Sequence, residues 1–212
     1  MSEYKTSKPT RVDTTLVDAG GGFGLRRLCR SDIKNVQEVV TSAFDSASLG
    51  ESVATTLHDY CTEGSDVRSL SEQPKDSLPS EYWVLVQLGD GSGSKASHQQ
   101  IVVGLCGLYR FRWGWEKSLW LGWFGVSAAR QGQGLGTRML QTLMGIARGK
   151  GGEIFHVEAL REGRAAEFYK RLGWQEQGII PQHYGPKSDA VILSRELADI
   201  LPIFHDPTCA PE

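Results

Sequence analysis

No run in this sequence approaches the 18 apolar residues that a membrane-spanning helix needs, so no membrane role is expected. Cysteine is sparse. Cys29, Cys61, Cys106 and Cys209 lie far apart, with no CxxC pair. That spacing argues against a thiolate metal site or a disulfide framework and suits reduced, individually placed thiols. Neither sign of charge dominates. Lys and Arg number 23 against 25 Asp and Glu, a net charge of −2, with no basic excess to draw nucleic acid and no acidic tail. The one asparagine, Asn35, is outside any glycosylation sequon. The opening residues, MSEYKTSKPTRVDTT, are polar and lack the apolar core of a secretion signal. These absences together lead to the expectation of a cytoplasmic protein.

What is present is an ordinary globular composition, 40% hydrophobic and 23% charged. A chain of 212 residues can bury roughly 70% of its unfolded surface and needs no staples. The expected organisation is a flexible arm at 1–15, one domain at 16–206 and a short tail at 207–212. Apolar Ile33, Val36, Val39, Val40 and Phe44 recur at helical spacing behind Ser31, a good cap. A second helix is expected from Gly50 to Cys61. Glu81–Leu88 and Gln100–Tyr109 read as two arms of a hairpin around the loop GDGSGSKASHQ. Further strands are expected at Thr14–Val17, Phe23–Leu28, Glu153–Leu160, Trp174–Ile180 and Ala190–Ser194. A short helix is expected at Glu162–Arg171, with Ala165, Phe168, Tyr169 and Leu172 on one side and Gly173 ending it. The mixture implies an α/β (α+β type) fold: a mixed, mostly antiparallel sheet with helices on both faces.

The most informative stretch is 118–148. An apolar run from Leu119 to Val126 leads into a loop rich in Gln and Gly, then an amphipathic segment with Leu135, Met139, Leu143, Ile146 and Ala147 on one face. This reads strand, glycine-rich turn, helix. Free amides at the helix start and the dipole behind them favour an anion such as phosphate. Gly132, Gly134 and Gly136 would let a ligand approach the backbone. The dinucleotide fingerprint fails because Thr137 stands at its third glycine, and no P-loop string exists. A plain turn is the competing reading on spacing alone.

The string QGQGLG at 131–136 resembles the signature of the GNAT superfamily of acyl-CoA-dependent N-acyltransferases: Arg or Gln, two residues, Gly, one residue, then Gly or Ala. About thirty residues on, AAEFYKRLGW at 165–174 is similar to the family's second pattern, AxxFYxxxGF. The resemblance implies a GNAT-like sheet whose strands splay at a cofactor cleft. Acetyl-CoA, the implied acyl donor, would bind there. Its pantetheine arm would pair with Phe124, Gly125 and Val126 like an added strand. Its pyrophosphate would sit on Gln131, Gly132, Gln133, Gly134, Leu135, Gly136 and Thr137. A strand amide near Phe124 would polarise the thioester carbonyl.

The implied activity is direct transfer of an acetyl group to a primary amine, on a small molecule or a protein, with no metal. A non-catalytic acyl-CoA sensor on the same fold is the alternative. Tyr169 matches the tyrosine that commonly protonates the leaving thiolate, and a phenol with reference pKa near 10 suits that role. Candidates for the base are Glu116, Glu158 and His156, with a water chain as another route; His156 and Glu158, two apart on one strand, share a side. His183 and Tyr184 fall where the family often borders its acceptor pocket, though an ordinary turn reads equally well. Two positions depart from the family: Ala128 replaces a frequent proline, and Glu162-Gly163 replaces a common asparagine. Tyr109, Phe111, Trp113, Trp115, Trp120 and Trp123 could wall a substrate or belong to sheet core and interface. Acidic Asp45, Glu51, Asp59 and Glu63 fit a solvated helix face better than an amine site. Homodimers are common in the family, so a homodimer is a possible assembly.

Overall fold

The computed structural model describes residues 16–44, 47–62, 81–89, 100–111 and 114–203. The expected arm and tail, the loop after Gly89, and Asp45, Glu63 and Trp113 lie outside these residues, as does the side chain of Asp59. The described elements are β1 (Val17–Gly20), β2 (Phe23–Arg27), α1 (Ile33–Phe44), α2 (Ala47–Thr62), β3 (Glu81–Gln87), β4 (Ile101–Tyr109), β5 (Ser118–Val126), α3 (Leu135–Gly149), β6 (Ile154–Leu160), α4 (Arg164–Arg171), β7 (Gln175–Ile180) and β8 (Ala190–Glu196). Among the described residues, no helix is long and apolar enough to cross a membrane.

The strands make one sheet in the order β1-β2-β3-β4-β5-β6-β8-β7. Every pairing is antiparallel except β5 with β6. Alternation along β3 shows how the sheet is sandwiched. Tyr82, Val84 and Val86 join a core with Val36, Val39 and Val40 of α1 and Val53 and Leu57 of α2. Trp83 and Leu85 face the other way, into a core with Met139, Leu140 and Leu143 of α3 and Tyr169 of α4. All five α3 residues expected on one face are buried. Successive β3 residues thus enter opposite cores, and the buried face of α3 meets one of them.

Several local details differ from expectation, β1 among them, which runs Val17–Gly20 rather than Thr14–Val17. A 3₁₀ turn at Arg30–Asp32 precedes α1, and the capping group is Asp32 rather than Ser31. Asp32 accepts the Cys29 amide at 2.9 Å and a two-pronged bond from Arg26 at 2.7 and 2.9 Å. A carboxylate that answers both an amide and a guanidinium outcompetes a hydroxyl. In α4 the buried alanine is Ala166, while Ala165 is exposed. Helix α4 begins two residues later than expected, after Gly163 as the cap.

The feature that positions the site is a fork. Strands β5 and β6 pair only from Ser118 with Ile154 to Trp120 with His156. Beyond that, β5 stays with β4 and β6 stays with β8. An irregularity helps: Leu108 pairs with Leu121 but Cys106 pairs with Phe124, so β5 carries one extra residue there. Such a bulge bends its strand and shifts its phase. Leu121, Phe124 and Val126 consequently face α3, while Trp123 turns toward α1 and meets Phe44 edge-on at 6.2 Å.

Candidate active site

The fork opens into a cleft of about 470 Å³. Its lining joins the end of β5 (Phe124, Gly125, Val126), the glycine-rich turn with the first turn of α3, and α4 residues including Phe168 and Tyr169. Ala43 and Phe44, at the end of α1, line it from the opposite layer. They approach because residue 125 is glycine: a Cβ there would lie 3.3 Å from both Ala43 and Phe44.

The turn is built for exposed amides. Gly132 and Gly134 have φ of 75° and 74°, a region closed to most L-residues, and a Cβ on either would meet nothing within 4 Å. The space above them is open to a ligand. The first helical bond of α3 runs from Arg138 N–H to the Gly134 carbonyl, so the amides of 135–137 precede the ladder. Gln131 donates its side-chain amide to the Val126 carbonyl at 3.1 Å, which fastens the loop to the strand end. Six of the seven expected cradle residues line the cleft, and Gln133 does not.

Three arginines also line the cleft: Arg130, Arg164 and Arg171. Sequence reading passed over them. The signal was present, since Arg130 abuts QGQGLG and the other two flank AAEFYK at i and i+7, one helical face. Ala43 and Phe44 had no comparable signal, because only tertiary packing brings α1 to the fork.

Tyr169 is 3% exposed. Gly173, at φ 83°, lets the end of α4 close with two reverse bonds, Gly173 N–H to Lys170 carbonyl and Trp174 N–H to Tyr169 carbonyl. Arg195 donates to the Leu172 carbonyl at 2.6 Å. The Tyr169 ring packs against Trp174 at 5.3 Å, Phe168 at 5.2 Å and, across the fork, Phe124 at 6.1 Å. Burial, with the neighbouring Cys106, raises its phenol pKa, so the proton stays on.

The other candidates separate by position. Glu116 is exposed in the turn before β5, outside the cleft lining. His156 sits where β5 and β6 are still paired, stacked on Trp120 at 4.8 Å. Its Nδ1 is buried with no hydrogen-bond partner among the described residues, and burial lowers its pKa. Glu158 stands two residues beyond the last β5 pair, inside the fork. Its Oε1 accepts the Tyr184 hydroxyl at 2.8 Å and meets His183 Nε2 at 2.9 Å. The turn after β7 thus bends back onto β6, and its residues hold the one candidate carboxylate in the gap. Among the described residues, no cluster of His, Cys, Asp or Glu could hold a metal ion.

Comparison with known proteins places this geometry. Residues 80–176 match the family model of the acetyltransferase (GNAT) domain. No curated protein matches the sequence. Among solved structures, one described as an acetyltransferase of the GNAT family from Desulfovibrio desulfuricans aligns with TM-score 0.63 and 18% identity, over 83% of this chain and 99% of that one. A ribosomal L7/L12 α-N-protein acetyltransferase in complex with coenzyme A aligns with TM-score 0.60 and 15% identity, over 86% and 98%. A spermidine/spermine N-acetyltransferase from Vibrio cholerae aligns with TM-score 0.57 and 13% identity, over 83% and 93%. At these identities the likeness is one of fold.

Proposed function

We propose, from the premise that residues 80–176 are the GNAT acetyltransferase domain they match, that this chain moves an acetyl group from acetyl-CoA to a primary amine within a ternary complex. The observation that carries the reading is the meeting of two distant segments. The open amide turn at 131–137 and the buried, protonated Tyr169 line one cleft.

The cleft fits the donor. Amides of 132–137 and the guanidiniums of Arg130, Arg164 and Arg171 match a chain of phosphates. The strand edge that β5 leaves unpaired after Trp120 suits an extended arm that hydrogen-bonds like a further strand. Bound there, acetyl-CoA would supply the acetyl group as an activated thioester.

The residues of this chain would divide the proton work. An amine must be neutral to attack, and the departing sulfur must gain a proton as the carbon–sulfur bond breaks. Tyr169 keeps its proton and is placed to donate it. Glu158, in the fork on the opposite sheet face, is the best-placed acceptor for the amine's proton, with His183 beside it as a route to solvent. The turn Glu162-Gly163 departs from the family asparagine, and Arg164 beside it offers a replacement contact for the donor.

Two measurements test the reading. Acetyl-CoA should raise the melting temperature, and an amine panel should release free thiol from it. Stabilisation without thiol release would favour a binding module over an enzyme. Stabilisation by NAD or ATP but not acetyl-CoA would remove both.

A further inference from the structure

On the sheet face away from α3 and α4, the outer half of β6 borders a partly buried aromatic patch, termed the bay, that the donor cleft does not include. Its floor is aromatic. Tyr109 and Phe111 meet edge-on at 5.5 Å, Phe111 meets Trp120 edge-on at 5.2 Å, and Trp120 lies flat on His156. All four are only partly buried. At the edge of this floor stands Glu158, whose neighbours Val157 and Ala159 are buried on the other face. The strand thus borders the donor side with one face and this bay with the other, and the two meet at the gap that β5 leaves beside Glu158 beyond Trp120.

We propose that the bay is the acceptor subsite, and that it selects primary amines carrying one positive charge and a flat, aromatic body. The inference rests on the acetyl-transfer reading above. The single charge follows from the anchor. Glu158 is held by two donors, Tyr184 and His183, both on Oε1, so Oε2 keeps its lone pairs for a ligand ammonium. The nearest acidic neighbour in the same turn, Asp189, is committed to Arg161 at 3.7 Å and to the Gln182 amide at 2.9 Å. Glu158 is therefore the carboxylate that β6 and this turn hold ready for a ligand.

The aromatic body follows from the floor. Ring faces attract a cation and stack on a planar group. Tyr109 joins the floor to the anchor. Burial and then the Glu158 charge push its phenol pKa up to about 12, which places the hydroxyl within the field of that carboxylate. Tyr184, half exposed, closes the side of the bay from a turn with its own bonds, Tyr184 N–H to Ser188 carbonyl and Gly185 N–H to Gln182 carbonyl. An ion pair that merely fastened this turn to β6 would need neither the aromatic floor nor the position inside the fork.

The test uses the full chain with acetyl-CoA and four acceptors: 2-phenylethylamine, propylamine, spermidine and a serine-initiated tetrapeptide. The expected result is a KM for 2-phenylethylamine at least tenfold below the other three. Glu158→Gln should raise that KM at least tenfold while acetyl-CoA affinity stays within twofold. Trp120→Phe, which keeps a ring and spares folding, should narrow the gap between 2-phenylethylamine and propylamine. A preference for spermidine or the peptide, or an unchanged KM in Glu158→Gln, overturns the inference and leaves the transferase standing. If acetyl-CoA binds but no amine is turned over, calorimetry of 2-phenylethylamine on the CoA-loaded chain decides, and absence of binding overturns the inference. If acetyl-CoA does not bind at all, the transferase reading falls and this inference falls with it.

Discussion

Tyr169 and Asp32 are both buried groups with shifted ionisation, and they answer different questions. Tyr169→Phe removes one oxygen from a packed ring, so the aromatic layer of Phe124, Phe168 and Trp174 stays intact. The expected outcome is a fall in kcat of about a hundredfold, typical of a lost general acid, with acetyl-CoA affinity little changed. Steady-state thiol release together with a cofactor titration checks it, and an unchanged kcat refutes the acid role. For Asp32, burial alone would raise the pKa, but bonds from Arg26, the Cys29 amide and the Cys29 thiol outweigh it and lower the pKa below its ordinary 3.8. A lowered carboxyl pKa gives stability that is present above the unfolded value and is lost as pH falls through the folded one. Asp32→Ala, which strands Arg26, should cost about 3 kcal/mol near neutral pH. The melting-temperature gap between the two proteins should then shrink below pH 4 in a denaturation series. A gap that is constant with pH would mean the effect is packing alone.

At the scale of elements, the glycine turn and α4 are the parts to perturb. Gly134 caps α3 at φ 74°, so Gly134→Ala forces an L-residue into the left-handed region at about 1–2 kcal/mol. Because the amides of 135–137 follow directly, acetyl-CoA affinity should drop along with stability. Calorimetric titration reads both, and wild-type affinity in the variant would argue against the cradle. On α4, Arg164 and Arg171 share a face on the cleft. Replacing both with Ala should weaken acetyl-CoA binding about tenfold or more, the loss expected for charge-assisted bonds to a phosphate. A dephosphorylated CoA analogue should lose less if these two read the ribose phosphate. Elements were the most legible level in the sequence. The apolar run of β3, buried on both faces, and the 3.6-residue spacing in α3, buried on one, each record which sides of the element meet a core. Element ends were less legible: Ser31 is a good cap by type, but Arg26, six residues back, draws Asp32 into that place.

For the whole molecule, the prediction concerns linkage. Acetyl-CoA at a hundred times its Kd should stabilise the native chain by about 2.7 kcal/mol. In a chain of this size that corresponds to a rise of about 5–10 °C in melting temperature. Scanning calorimetry across a concentration series checks both size and logarithmic form. The ligand would bridge β5, α3 and α4, three elements that share the core between them, so one cooperative transition should move as a unit. A rise confined to one of two separate transitions would contradict that coupling.

By itself the sequence determined the strand, turn and helix of 118–148. They are local in the chain, and glycines at positive φ before a helix leave the amides of its first turn outside the helical ladder. It also fixed the two-faced sheet, because periodic burial is written residue by residue. Only the tertiary structure decided what the fork brings together. That Glu158 lies inside the gap, with His156 on the paired side of it and Glu116 outside the cleft, depends on where β5 leaves β6. That Tyr184 and His183 reach back to Glu158 depends on a turn more than twenty residues later. Contacts of this kind are set by the packing of whole elements, and no pattern within a single segment records them.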